Sequence, residues 1–320
     1  MQTTVNTAAR RRKVSRSVVK YWPFYIMALP GIVYLIINNY LPLAGLQVAF
    51  KRFNYGKGIW DSPWNGLQNF EFLFTSNNAW RIIRNTLLYN LAFIFAGIVV
   101  GVTVAIFLNE IRQKRALKVY QTGILLPYLM SMVIVSYLAY VFLSPNTGVV
   151  NGLLRRLGSS GVNWYSEPKY WPFLLVFIQL WKNLGFNMIL YYSSIISFSQ
   201  DYYEAAELDG ATKWQQIRNI TIPLLKPTMI TLKPTIITLT LMSIGRMFYS
   251  DFGLFYQVPM NQGALYEVTD TIDTFVYRAL LQTPNIGMSS AAGFIQSVVG
   301  FLFILAANGV IRKVSPESSL

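Results

Sequence analysis

Apolar positions in this chain gather into long runs. Six can be drawn, at about 23–48, 84–108, 119–143, 171–197, 227–248 and 291–311. Each reaches the ~20 mostly apolar residues that a membrane-crossing helix requires. Lipid offers no partner for backbone N–H and C=O groups, so helices are the expected form. The first run contains Pro30-Gly31 and Pro42, which predicts a kinked helix. It is also too long for a cleaved leader and lacks a small-x-small site, so it is expected to be retained. In the fifth run the segment Lys226–Leu232 is echoed by Lys233–Leu239, which puts Pro227 and Pro234 on nearly one face. A kink at Pro234 is expected, and the echo reads as a local duplication.

The polar stretches between the runs are unequal. Those at 50–83, 144–170 and 249–290 are long and aromatic. Asn54, Gly56, Gly58, Pro63 and Gly66 predict ordered turns with short lateral helices there. Basic residues cluster elsewhere. Arg10, Arg11, Arg12, Lys13, Arg16 and Lys20 precede the first run. Arg112, Lys114, Arg115 and Lys118 follow the second, and Arg312 and Lys313 follow the sixth. With six spans all three clusters fall on one side, which the positive-inside rule makes the cytoplasm. Lys51, Arg52, Lys57, Arg81 and Arg84 oppose this reading from the first outer loop, where the rule is weaker. The expected organisation is a basic cytoplasmic tail (1–22), a transmembrane domain (23–313) and a short cytoplasmic tail (314–320).

Composition narrows the function. Of 320 residues 53% are hydrophobic and 12% charged, against about 25% charged in soluble domains. The formal charge of +14 is spread over span ends, not gathered on a soluble module, so nucleic acid is not an expected partner. There is no Cys and no His, which excludes disulfides and the commonest metal ligands and general base.

One polar segment is longer than a simple connection needs. EAAELDGATKWQQIRNITIP, Glu204–Pro223, follows Asp201-x-x-Glu204, which has capping-box spacing. A helix is predicted to Leu208, a turn at Gly210, and a second capping box at Thr212-x-x-Gln215. Trp214, Ile217 and Ile220 recur every three residues as an apolar stripe. Such a pair can lie against lipid headgroups or dock a cytoplasmic partner. The small Ala205 and Ala206, and the acids Asp201, Glu204, Glu207 and Asp209, favour docking over contact with an anionic leaflet.

The order Glu-Ala-Ala, three residues, Gly, nine residues, Ile-x-Ile-Pro resembles the EAA loop of permease subunits in bacterial ABC importers, with Ile222 where the family pattern has Leu. Trp181–Asn187, Gly245–Pro259 and Ser289–Phe301 resemble the polysaccharide-permease branch. The resemblance implies an all-α, six-helix permease of the bacterial plasma membrane, with a coupling loop at 199–223. Glu204, Ala205, Ala206, Asp209 and Gly210 would then sit in a cleft of an ATPase subunit. It also implies a second related permease, two ATPase copies and an extracellular solute-binding protein. ATP and Mg would be held by the ATPase, and this chain, which has no G-x-x-x-x-G-K-[ST], would catalyse nothing.

Gln179, Lys182, Asn183 and Asn187 form a polar stripe in the fourth run. Lys182 lies about 11 residues, roughly 16 Å, below the outer end, near the midplane. An ammonium there needs water, a partner or a ligand, so it is either structural or a substrate contact. Tyr137, Tyr140 and Tyr191 are stacking candidates for sugar faces, or helix-packing material. Arg246 can pair with Asp251 or meet substrate. A midplane cation and the resemblance together suggest an acidic, uronate-bearing oligosaccharide. The competing reading is a secondary carrier or channel, which would more often carry mid-bilayer acids than this chain does. A membrane-embedded enzyme is disfavoured by the missing His, Cys and paired carboxylates.

Overall fold

A computed structural model describes residues 21–71, 77–225, 249–281 and 285–314. Four helices in it are long and apolar enough to cross a membrane, and a bent pair of helices makes a fifth such element when the two are taken as one broken span. The fifth run (227–248), with Pro227, Pro234, Arg246 and the repeated segment, lies outside the described residues. Among the described residues only two isolated β-bridges interrupt the helical and turn structure.

The first span, α1, runs Tyr21–Phe50, and no part of its apolar window is buried. Pro30-Gly31 does not interrupt it. The irregularity falls later, as a π-turn at Ile36–Tyr40 followed by 3-10 helix at Leu41–Phe50. The same signature recurs. The π-turns Ile36–Tyr40, Ile217–Thr221 and Gly253–Gln257 each end two residues before a proline, at Pro42, Pro223 and Pro259. Proline has no N–H to give the carbonyl four residues back, and its ring clashes there. In two of them the wide turn closes just before the proline, with Leu41 N–H reaching Ile36 O and Ile222 N–H reaching Ile217 O. Among the described residues, the end of α1 packs on the rest of the molecule, with buried Ala49 against Phe70, Ala291 and Phe294.

Helix α2 (Asn77–Asn109) leads through a short turn into α3 (Lys114–Leu129). The third run is not one straight span, as its unbroken hydropathy suggested. Helix α4 (Met132–Leu143) leaves α3 at 102°. Met130 and Ser131 take extended backbone at the break, and the Ser131 hydroxyl accepts from the Ile134 N–H to cap α4. After the surface helix α5 (Val149–Arg156), helix α6 (Trp171–Ile195) packs closely on α2 and α3. Two glycines set those approaches. A Cβ on Gly185 would lie 2.6 Å from the backbone of Ile124 and Leu125, and one on Gly101 would lie 3.0 Å from the Tyr191 ring.

Core side chains gather at the two ends of these helices. One cluster joins Tyr89, Leu143, Trp171, Leu175, Phe255 and Leu265. The other joins Ala105, Leu108, Met188, Ile195 and Leu225. Segments 51–71, 144–170 and 249–281 lie at the first end as ordered loops with short helices, as predicted. The last of them includes α9 (Ile272–Leu281, numbered here after α7 and α8 of the 201–225 segment below) and leads to α10 (Ile286–Val314).

The 249–281 segment is stapled onto α2. Asn85 donates to the Glu267 and Asp270 carbonyls at 3.0 Å each, and the Tyr89 hydroxyl donates to Val268 O at 2.8 Å. Buried Asp270 accepts from Arg81 at 3.0 Å and pairs with Arg278. Burial raises its carboxyl above the usual range, against the pull of Arg278 and Arg81. Lys51 is buried too, donating to Ile59 O and Trp60 O at 2.9 Å each. Three of the basic residues that opposed the charge rule, Lys51, Arg81 and Arg84, are therefore held by hydrogen bonds.

Candidate coupling loop and midspan site

Helix α7 spans Asp201–Leu208. Asp201 does not cap it: Gln200 occupies the cap in helical backbone with no side-chain bond, and the Asp201 N–H donates to Ser199 Oγ. Asp201 and Glu204 instead sit in the first turn, where the helix dipole favours negative charge. The far end closes as expected. Gly210 takes φ +80°, Ala211 N–H donates to Ala206 O at 2.9 Å and Gly210 N–H to Glu207 O at 3.1 Å. That pair of bonds is the Schellman arrangement, which a left-handed glycine permits.

Thr212 then forms the second capping box with Gln215 and starts α8 (Lys213–Gln216), which continues as the π-turn Ile217–Thr221. Helical backbone runs on to Leu225, so Pro223 lies within it and not at its end. Two contacts hold the pair together: Tyr203 Oη to Thr221 Oγ1 at 3.1 Å and Lys213 to Glu207 at 3.4 Å. The predicted stripe splits, because three-residue steps turn about 300° and drift around a helix. Ile217 packs into the second core cluster while Trp214 is 69% exposed. Glu204, Ala205, Asp209 and Gly210 are exposed and Ala206 is half-buried. Leu208, 91% exposed, extends this uncovered surface.

The polar stripe on α6 does not share one surroundings. Lys182 Nζ donates to Tyr128 O at 3.2 Å and Met130 O at 2.9 Å, the carbonyls released by the α3–α4 break. Asn183 donates back to Gln179 O at 3.0 Å, within its own helix. Asn187 faces α2, where a Cβ on Gly97 would lie 3.5 Å from its Nδ2. Gln179 Oε1 is buried and has no partner among the described residues. Tyr137 and Tyr140 are exposed on α4, the second with its ring 5.6 Å from that of Tyr165. Tyr191 packs on Gly101. Asp251 Oδ1 accepts from the Leu254 N–H at 3.1 Å.

Two aromatic residues join this site that hydropathy does not single out. Tyr128 and Phe186 stack with centroids 5.3 Å apart and planes 14° apart, and Lys182 Nζ lies 5.8 Å from the Tyr128 centroid. Phe186 was within reach of the sequence, four residues beyond Lys182 on the same helix face. Tyr128 was not, because its place depends on the break. Non-helical backbone at membrane depth is tolerated only inside protein or beside water. An ammonium, released carbonyls and a half-exposed stacked pair at the middle of α6 are therefore fitted to a polar path and ill suited to lipid. Among the described residues no three His, Cys, Asp or Glu side chains gather as metal ligands would.

Comparison with known proteins gives this geometry its context. Residues 97–316 match the family described as binding-protein-dependent transport system inner membrane component. Protein LplB of Bacillus subtilis (strain 168) is 32% identical over 293 residues, covering 92% of this chain and 89% of that protein. The polygalacturonan/rhamnogalacturonan transport system permease protein YteP of the same organism is 30% identical over 311 residues, covering 96% and 93%. In the crystal structure of a bacterial ABC transporter involved in import of the acidic polysaccharide alginate, one chain superposes with TM-score 0.82 at 33% identity, covering 95% of this chain and 99% of that one. The same transporter in complex with an alginate pentasaccharide-bound periplasmic protein gives TM-score 0.80. Helical architecture, span pattern and family match agree: this chain belongs to the inner membrane components of binding-protein-dependent ABC transport systems and is a transport permease subunit, not an enzyme.

Proposed function

We propose that this permease forms half of the path of an ATP-driven importer for an acidic, uronate-bearing oligosaccharide. The observation that carries the coupling is the exposed helix–glycine–helix unit between two spans, with Glu204, Ala205, Ala206, Asp209 and Gly210 presented on one uncovered surface. In this reading both termini and the 201–225 segment are cytoplasmic, and the 51–71, 144–170 and 249–281 loops are external. A separate ATPase, holding ATP and Mg, closes on each of two related permeases. Its motion reaches the spans through α7, α8 and the staples Tyr203–Thr221 and Lys213–Glu207. A solute-binding protein delivers sugar to the outer side.

The substrate side rests on Lys182. Two of the three ammonium donors hold the break between α3 and α4, leaving one for a carboxylate. Tyr128 and Phe186 offer apolar ring area beside it, and Tyr137 and Tyr140 continue exposed aromatic surface along α4. Gln179 supplies an amide oxygen with no partner among the described residues, a match for a sugar hydroxyl. Asn183 and Asn187 shape the helix contact behind this face. The names of YteP and of the alginate transporter, both handling acidic polysaccharides, point the same way.

Uptake by the complete transporter in proteoliposomes tests the reading. Trigalacturonate uptake is expected to need ATP and the binding protein, with maltotriose taken up poorly. Equal uptake of the two would remove the acidic specificity. Transport by this chain alone, under an ion gradient and without ATPase, would favour the secondary-carrier alternative.

A further inference from the structure

A polar cavity lies at the loop end of the molecule, away from Lys182. It encloses about 370 Å³ between the 52–69 loop and the start of α10, within the ~300–1,000 Å³ typical of small-molecule sites. Arg52, Tyr55, Asn65, Gln68, Asn69 and Asn285 line it.

Its frame is rigid. Buried Lys51 ties the loop to Ile59 O and Trp60 O, and Asn69 Nδ2 donates to Ala49 O at 3.0 Å and Lys51 O at 2.9 Å. Arg52 N–H donates to Pro63 O at 2.9 Å and Asn65 N–H to Phe50 O at 2.8 Å. Gly287 lets α10 approach, since a Cβ there would lie 2.7 Å from Asn69 Oδ1. The Tyr55 ring is held edge-on by Phe53 at 5.2 Å.

The frame leaves donors unused. Among the described residues the Arg52 guanidinium, the Gln68 amide and Asn285 Nδ2 make no hydrogen bond, while Asn285 Oδ1 is occupied by the Met288 N–H at 3.0 Å. A planar guanidinium matches a carboxylate in bidentate fashion. Amide side chains match hydroxyls, and the Tyr55 ring, largely exposed, suits the C–H face of a pyranose.

We infer that this cavity is an outer subsite for one uronate unit of the oligosaccharide, with Arg52 on the carboxylate and Gln68 and Asn285 on hydroxyls. The inference rests on the proposed importer reading. A concave site with one unpaired cation and several free amides fits a saccharide better than a flat protein contact. It gives the chain a way to hold sugar on the external side before the midspan site around Lys182 accepts it.

The test is equilibrium binding of trigalacturonate, with maltotriose as the neutral control, to the complete transporter in nanodiscs without its binding protein or nucleotide. A Lys182→Gln background removes the midspan charge. Trigalacturonate is expected to bind there, Arg52→Gln to weaken it by about tenfold or more, the scale of a lost charge-assisted hydrogen bond, and Gln68→Ala to weaken it by about threefold or more, the scale of a neutral one. Both substituted side chains are exposed, and melting temperatures should match the parent's. Unchanged affinity in both variants would overturn the subsite. So would unchanged saccharide affinity with weakened docking of the binding protein, which would assign the cavity to that protein. If the unsubstituted transporter imports trigalacturonate and only these binding results fail, the importer reading stands without the outer subsite. If it imports no acidic oligosaccharide, both fall.

Discussion

Lys182 holds a bend in the structure and, in the proposed function, also meets the substrate carboxylate. It bonds the two carbonyls that a bent span frees. Lys182→Ala removes the charged donor from both acceptors, at a cost of about 1–3 kcal/mol, which should appear as a lower melting temperature in detergent. Lys182→Gln keeps a donor and loses the charge. It is expected to restore most of that stability while uptake of acidic oligosaccharide stays low and uptake of neutral sugar does not fall further. Full recovery of acidic uptake in Lys182→Gln would make the lysine purely structural. The sequence located this residue by depth and charge. It could not supply the partners, which exist only because α3 and α4 part at Met130–Ser131.

Glycine at a helix end was more legible than proline. Gly210 was expected to end α7 and does so at φ +80°. An L-residue there pays about 1–2 kcal/mol for left-handed backbone. Gly210→Val should therefore distort the turn between α7 and α8, and the readout is ATPase rate against uptake: hydrolysis should persist while uptake drops several-fold. Equal loss of both would point to misfolding, which expression and melting would reveal. Thr212→Ala removes the cap seen at Gln215 and should lower stability by about 0.5–2 kcal/mol. Gly185→Leu should be far more damaging, because its side chain would enter the backbone of Leu125. Loss of folded yield is the measurement. Two features were not legible. Pro30-Gly31 sits in unbroken helix, whereas prolines at 42, 223 and 259 each follow a π-turn. The break of the third span carries no polar interruption beyond Ser131, so hydropathy passes straight over it.

At the scale of the molecule, apolar runs gave the order and approximate bounds of the described spans, and the EAA pattern gave the family before any fold was seen. The loops were legible as ordered, but not the staples that make them a cap, since Asn85, Tyr89 and Arg81 meet residues nearly two hundred positions away. In the proposed function, work reaches the spans from outside the bilayer through the exposed surface of the 201–225 segment. The chain has no cysteine, so Ala205→Cys introduces a unique thiol on that surface. Its reaction with a membrane-impermeant maleimide, in inside-out and right-side-out vesicles, with and without the ATPase, is the decisive measurement. The expected result is labelling from the cytoplasmic side only, blocked when the ATPase is bound. Labelling from the external side, or labelling that bound ATPase does not slow, would contradict the account.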